Sequence, residues 1–131
     1  MRDTKFIRLA YKYSFKSKHN KATMAAVLVV ANKPIAIGVN RIATHPKQLG
    51  RFDGRPSRSI HAELAAMLGN HKHCLVGSTL YVVRRMHNGD LGTAKPCCVC
   101  ECLMRLFGIA KVVYSMGGTV DNPETESYCL D

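Results

Sequence analysis

Hydrophobic positions recur along this chain with two periods, and the periods alternate. Residues 4–16 place Phe6, Ile7, Leu9, Ala10, Tyr13 and Phe15 among basic residues, the spacing of an amphipathic helix that Asp3 or Thr4 can cap. Residues 24–31 form a continuous apolar run rich in valine, the pattern of a strand buried on both faces. Asn32-Lys33-Pro34 supplies turn chemistry and residues 35–39 read as a second strand, so the two make a hairpin. Residues 40–59 are polar, basic and broken by Pro46, Gly50, Gly54 and Pro56, and read as a long surface loop. Ser57 or Ser59 then caps a helix through Ile60, Leu64, Met67 and Leu68 that ends at Gly69 or Asn70.

The second half repeats the alternation. Residues 78–83 read as a strand, and Asn88-Gly89-Asp90 as a turn in a loop that runs to Lys95. Pro96 fits the first turn of a helix that carries Cys100, Leu103, Met104 and Phe107 and stops at Gly108. With residues 111–115 as the next strand, the unit is a parallel crossover. Only sixteen residues follow Ser115. Another crossover needs a dozen or more connecting residues plus a strand. The tail therefore predicts a hairpin, with residues 126–130 antiparallel to 111–115.

Composition bounds what these elements can build. A chain of 131 residues, 47% hydrophobic and 21% charged, can bury a core and is expected to be a single domain over residues 1–131. Its longest apolar run falls far short of the ~20 residues that cross a bilayer, so no membrane partner is expected. The start, Met-Arg-Asp-Thr-Lys, lacks the apolar stretch of a secretion signal, which points to an intracellular, cytoplasmic protein. Four of six cysteines crowd at Cys97, Cys98, Cys100 and Cys102, better read as metal ligands or reduced thiols than as bridges. Cys74, Cys102 and Cys129 are expected to be small buried hydrophobes. The net charge of +10, concentrated in residues 2–21 and 41–58, suits either a solvated surface or an attraction for phosphate on a mononucleotide or a polynucleotide.

Two motifs carry chemistry, each at an expected helix start: His61-Ala62-Glu63 and Pro96-Cys97-Cys98-Val99-Cys100. Cys97 and Cys100 lie three apart, which places both sulfurs on one side of a first helical turn. Exposed N–H groups there favour the thiolates that bind metal. With His61 they make a three-ligand set suited to Zn2+, leaving the fourth tetrahedral position for water, as a catalytic zinc requires. Glu63, two residues past His61, is positioned to move protons without ligating. The backbone N–H of Ala62, or of a neighbour at either helix start, can donate to a bound oxygen. A closed structural zinc site would need a fourth protein ligand, and Cys98 does not readily face the same ion as its neighbours.

On these motifs and the order of its elements, the chain resembles the cytidine/deoxycytidylate deaminase superfamily of zinc-dependent nucleobase deaminases. The resemblance implies a three-layer α/β/α fold on a mixed sheet of about five strands, with the C-terminal strand antiparallel. It implies His61, Cys97 and Cys100 as zinc ligands, Glu63 as the catalytic proton carrier and Asn40 as a hydrogen-bonding partner of the nucleoside. His45, Arg84 and Arg85 are candidate phosphate contacts, and a homo-oligomer is expected. The expected substrate is a cytosine nucleotide or nucleoside, deoxycytidylate first. Departures from the pattern are specific: Lys95 stands where relatives often have Glu before Pro-Cys, Gly38-Val39-Asn40-Arg41 replaces Gly-Tyr-Asn-Gly, and the tail lacks room for a terminal crossover helix. Together they suggest a compact, divergent member of viral type. A rival reading is a deaminase acting on cytosine or adenine in single-stranded DNA or RNA, for which Phe52 is the main stacking candidate. A third is a zinc-stabilised nucleic-acid-binding module without catalysis.

Overall fold

The apolar run after the first helix forms an interior strand of the sheet. In a computed structural model of the chain, which describes residues 2–15, 23–39 and 77–130, it is strand β1 (Thr23–Val30). Its alternate side chains serve opposite faces of the sheet. Ala25, Val27 and Val29 join one buried cluster, while Ala26 and Leu28 join another. A strand with two buried faces shows no polar alternation, which is why the run is continuous.

Helix α1 (Arg2–Ser14) covers the first face, burying Phe6, Ile7 and Ala10 against β1 and against Tyr81 and Val83 of β3 (Thr79–Arg85). The Phe6 and Tyr81 rings lie 5.1 Å apart. Helix α2 (Cys98–Phe107) covers the second face through Cys100, Leu103 and Met104, packed with Leu28, Leu80, Val82 and Val112. The layers are thus α/β/α. The helix stops where expected: Gly108 takes φ 85°, a left-handed conformation that glycine adopts without a Cβ penalty, and its N–H is donated to Arg105 O.

β2 (Lys33–Val39) pairs antiparallel with β1. The turn is one position earlier than the sequence suggests. Ala31 and Asn32 both have positive φ (52° and 66°), as a two-residue hairpin connection requires, and Lys33 and Pro34 already belong to the strand. Pro34 is tolerated because β2 is an edge strand and the register shifts beside it, between Leu28 and Val29.

β3 runs antiparallel to β1 and parallel to β5 (Lys111–Gly118), with α2 as the crossover. β6 (Pro123–Cys129) returns antiparallel along β5, as the short tail demands, and begins three residues earlier than expected. The order is β2-β1-β3-β5-β6. A sixth strand, β4 (Leu91–Gly92), pairs with the end of β3 where a plain loop was expected. Two residues are too few to show a period. The Asn88–Asp90 turn that folds them back is held by the Asp90 N–H, which donates to Asn88 Oδ1 at 3.0 Å. The expected loop at 40–59 and helix at 60–70 lie outside the described residues.

Candidate active site

The described candidate residues, Arg84, Arg85, Cys97 and Cys100, lie toward one end of the sheet. A parallel crossover begins at the C-terminal end of its first strand, so α2 starts at the end where β3 finishes. Val39 and Val83 both pair with Ala25, so β2 also leaves the sheet at that end. β2 thus ends, at Val39, on the level of Val83. Asn40, His45, His61, Ala62 and Glu63 themselves lie outside the described residues.

The start of α2 is built residue by residue. Pro96 is buried and precedes the cap, one position before the helical turn where it was expected. Cys97 is the N-cap residue, with φ −74° and ψ 166°; its Sγ accepts the N–H of Cys100 at 3.5 Å, and its carbonyl accepts the N–H of Glu101 at 2.9 Å. A sulfur in the place usually taken by a Ser or Asp oxygen sits among otherwise unsatisfied N–H groups, which stabilise negative charge on it. Cys100 is wholly buried and Cys97 partly so, both against the α2-side core. The spacing therefore brings the two expected thiol ligands to one helix start, as read from sequence. Among the described residues no group of three or more His, Cys, Asp or Glu side chains converges. The described part of the proposed ligand set is this thiol pair.

Other cysteines behave differently. Cys98 is exposed and faces away from the pair, while Cys102 and Cys129 are exposed rather than buried. The expectation of buried thiols at 102 and 129 fails because Cys102 falls on the outer face of α2 and Cys129 on the edge strand β6.

The two arginines after β3 separate. Arg85 donates from Nε to Ser14 Oγ at 3.1 Å and lies over the Phe15 ring at 4.0 Å, closing the C-terminal end of α1. Arg84 is half-buried, and its backbone N–H donates to Ser115 Oγ at 3.2 Å. Lys95, with Glu101, Tyr114, Glu126 and Tyr128, lines an open cavity of ≈ 620 Å³ that has neither His nor Cys among its described lining residues.

Ser115 is a residue that sequence reasoning passed over. It is fully buried, donates from Oγ to Gly92 O at 2.6 Å, accepts from Arg84 N–H, and receives the Ala94 N–H on its carbonyl at 2.9 Å. It thereby fixes the segment leading into Pro96 and Cys97. A lone polar residue at the end of an apolar strand was the available signal.

With this geometry in view, the relationship is clear. The family described as the cytidine and deoxycytidylate deaminase zinc-binding region matches residues 1–116, and the chain belongs to it. No curated protein matches. Among solved structures, the chain is similar to the apo dCMP deaminase of cyanophage S-TIM5, at 22% identity and TM-score 0.64 over 87% of this chain and 82% of that one. The same phage enzyme in complex with dCMP and dUMP aligns at 23% identity and TM-score 0.61, over 84% and 77%. The cytidine deaminase of Burkholderia pseudomallei aligns at 16% identity and TM-score 0.65, over 96% and 91%. These likenesses establish the cytidine-deaminase-like fold.

Proposed function

We propose that this chain is a zinc-dependent hydrolytic deaminase, converting a cytosine nucleotide or nucleoside (deoxycytidylate favoured) to the uracil form with release of ammonia. The observation that carries the reading is the capped start of α2, where Cys97 and Cys100 come together on the sheet of a deaminase fold. Family membership supports it. So does the phage dCMP deaminase, a neighbour in fold that was solved with dCMP and dUMP.

The donor set suits the metal: two thiolates at a helix N-terminus, with His61 as the third ligand, match zinc in number and softness. When bound, zinc supplies the Lewis acidity that lets water react at neutral pH. Glu63 takes a proton from the attacking water, delivers it to the ring nitrogen, and carries a proton to the departing ammonia. Asn40 holds the nucleoside, and the Ala62 N–H holds the ring oxygen. His45 and Arg84 reach the phosphate. Arg85 is the weaker phosphate contact, since its guanidinium is engaged by Ser14 and Phe15. The proposed enzyme is a single domain that assembles as a homo-oligomer.

A second reading, deamination within single-stranded DNA or RNA, is favoured by the charge of +10. One experiment separates them. Zinc-loaded protein is incubated with dCMP, cytidine and single-stranded oligonucleotides, and ammonia and uracil are measured at two salt concentrations. Turnover of dCMP supports the first reading. Product only from oligonucleotides, with binding that falls steeply as salt rises, replaces it by the second. Zinc at one per chain with no product from any substrate sinks the enzyme reading and leaves a zinc-stabilised binding module.

A further inference from the structure

The thiols around α2 fall into two pairs with different surroundings. Cys97 and Cys100 face the core and share the helix cap. Cys98 and Cys102 are both exposed, four residues apart within one uninterrupted helix. Side chains at that spacing are neighbours on one helix face, with Cβ atoms ~5–6 Å apart. Cys98 and Cys102 each lie two residues, ~200° around the helix, from buried Cys100, so the outer pair does not share a centre with the inner one. Nothing in the proposed deamination uses it.

We infer that Cys98 and Cys102 form a second, solvent-facing dithiolate site, suited to a soft two-coordinate cation of the Cu(I) or Ag(I) class. Thiolates select soft ions. Two donors complete the coordination of a linear ion, whereas zinc would still need two or more further ligands. On binding, each thiol releases a proton to solvent, two metal–sulfur bonds form, and the centre carries one net negative charge. The other described exposed thiol, Cys129, lies on β6 opposite Lys111, outside this row, and serves as a single-thiol control.

The test is a competition titration of the zinc-loaded full chain with Ag(I), which needs no reductant, in the presence of a monothiol competitor. It is repeated under argon with Cu(I) supplied as its acetonitrile complex. The wild-type chain should retain one ion against the competitor. Cys98→Ser, Cys102→Ser and the double variant should each lose that same ion, with affinity falling a hundredfold or more, because either change removes the chelate. Cys129→Ser should retain it. Zinc content should be the same in every variant, which separates this site from the Cys97/Cys100 pair. Retention of the ion by either single variant, or additive half-losses showing independent thiols, overturns the inference. Displacement of zinc by the first equivalent of Ag(I) also overturns it. None of these results bears on the deaminase reading, whose failure would appear in turnover alone.

Discussion

The two faces of the sheet are covered by helices of similar kind that differ in what they bury. α1 inserts Phe6, Ile7 and Ala10, all hydrocarbon, and its C-terminal end is closed by polar contacts: Ser14 Oγ donates to Tyr11 O at 2.6 Å and Arg85 closes over Phe15. α2 inserts Leu103 and Met104 in the same way, but places sulfur at its first turn and lets Cys97 serve as the cap. One helix holds the sheet together. The other is held by the sheet, so that its N-terminus is presented at the end where β2 and β3 finish. Chemistry follows the helix start, and stability follows the helix face.

Substitutions should separate the two faces sharply. The largest effect belongs to the α2 end. Cys97→Ser and Cys100→Ser should remove both zinc and turnover, read by metal analysis and ammonia release, whereas Glu63→Ala should abolish turnover and keep the zinc. A Cys97→Ser protein that retained one zinc per chain and full activity would erase the distinction. On the α1 face, Phe6→Ala should cost about 3–5 kcal/mol, seen as a lower denaturant midpoint. Zinc content of the protein that remains folded should not change. Loss of metal at equal folded fraction would show that the two faces are not independent.

Between these extremes lies Ser115, on the strand between the helices. Removing its hydroxyl leaves the Gly92 carbonyl and the Arg84 N–H without this partner inside the sheet. Ser115→Ala should therefore destabilise by about 1–3 kcal/mol. Because Ser115 holds the approach to Pro96, kcat should fall more than stability alone explains, and Ser115→Thr should recover part of it. Equal loss of kcat and folded fraction would mark Ser115 as structural only.

The sequence revealed these regions by different signals. α1, β1 and β3 were legible from periodicity because each must bury one stripe or two faces, and burial dictates where apolar residues recur. The place of Cys97 and Cys100 at one helix start was legible from their spacing and from the proline before them. β6 was legible by elimination, as the tail had no length for a crossover. What stayed hidden was set by single contacts rather than by pattern. β4 rests on two pairs, Arg84 with Gly92 and Arg85 with Leu91. Arg85 looked like a free cation until tertiary structure brought Phe15 and Ser14 beside it. Cys102 and Cys129 carry nothing in their neighbourhood to show on which side of a helix or an edge strand they fall.

The smallest effect tests the turn between β1 and β2, at the end of the sheet opposite Arg84 and Arg85. Ala31 holds φ 52°, a conformation that costs a residue with a Cβ about 1–2 kcal/mol. Glycine removes that penalty but gives back about 0.5–1 kcal/mol through the greater freedom of its unfolded chain. Ala31→Gly should thus stabilise the protein by about 0.5 kcal/mol, since the relief of strain exceeds the entropic loss. A denaturant midpoint raised slightly at unchanged m-value would agree. A lower midpoint would mean that the hairpin obtains its register from the β1–β2 pairing rather than from the turn. The shift beside Pro34 would then be the feature that aligns the strand leading toward Asn40.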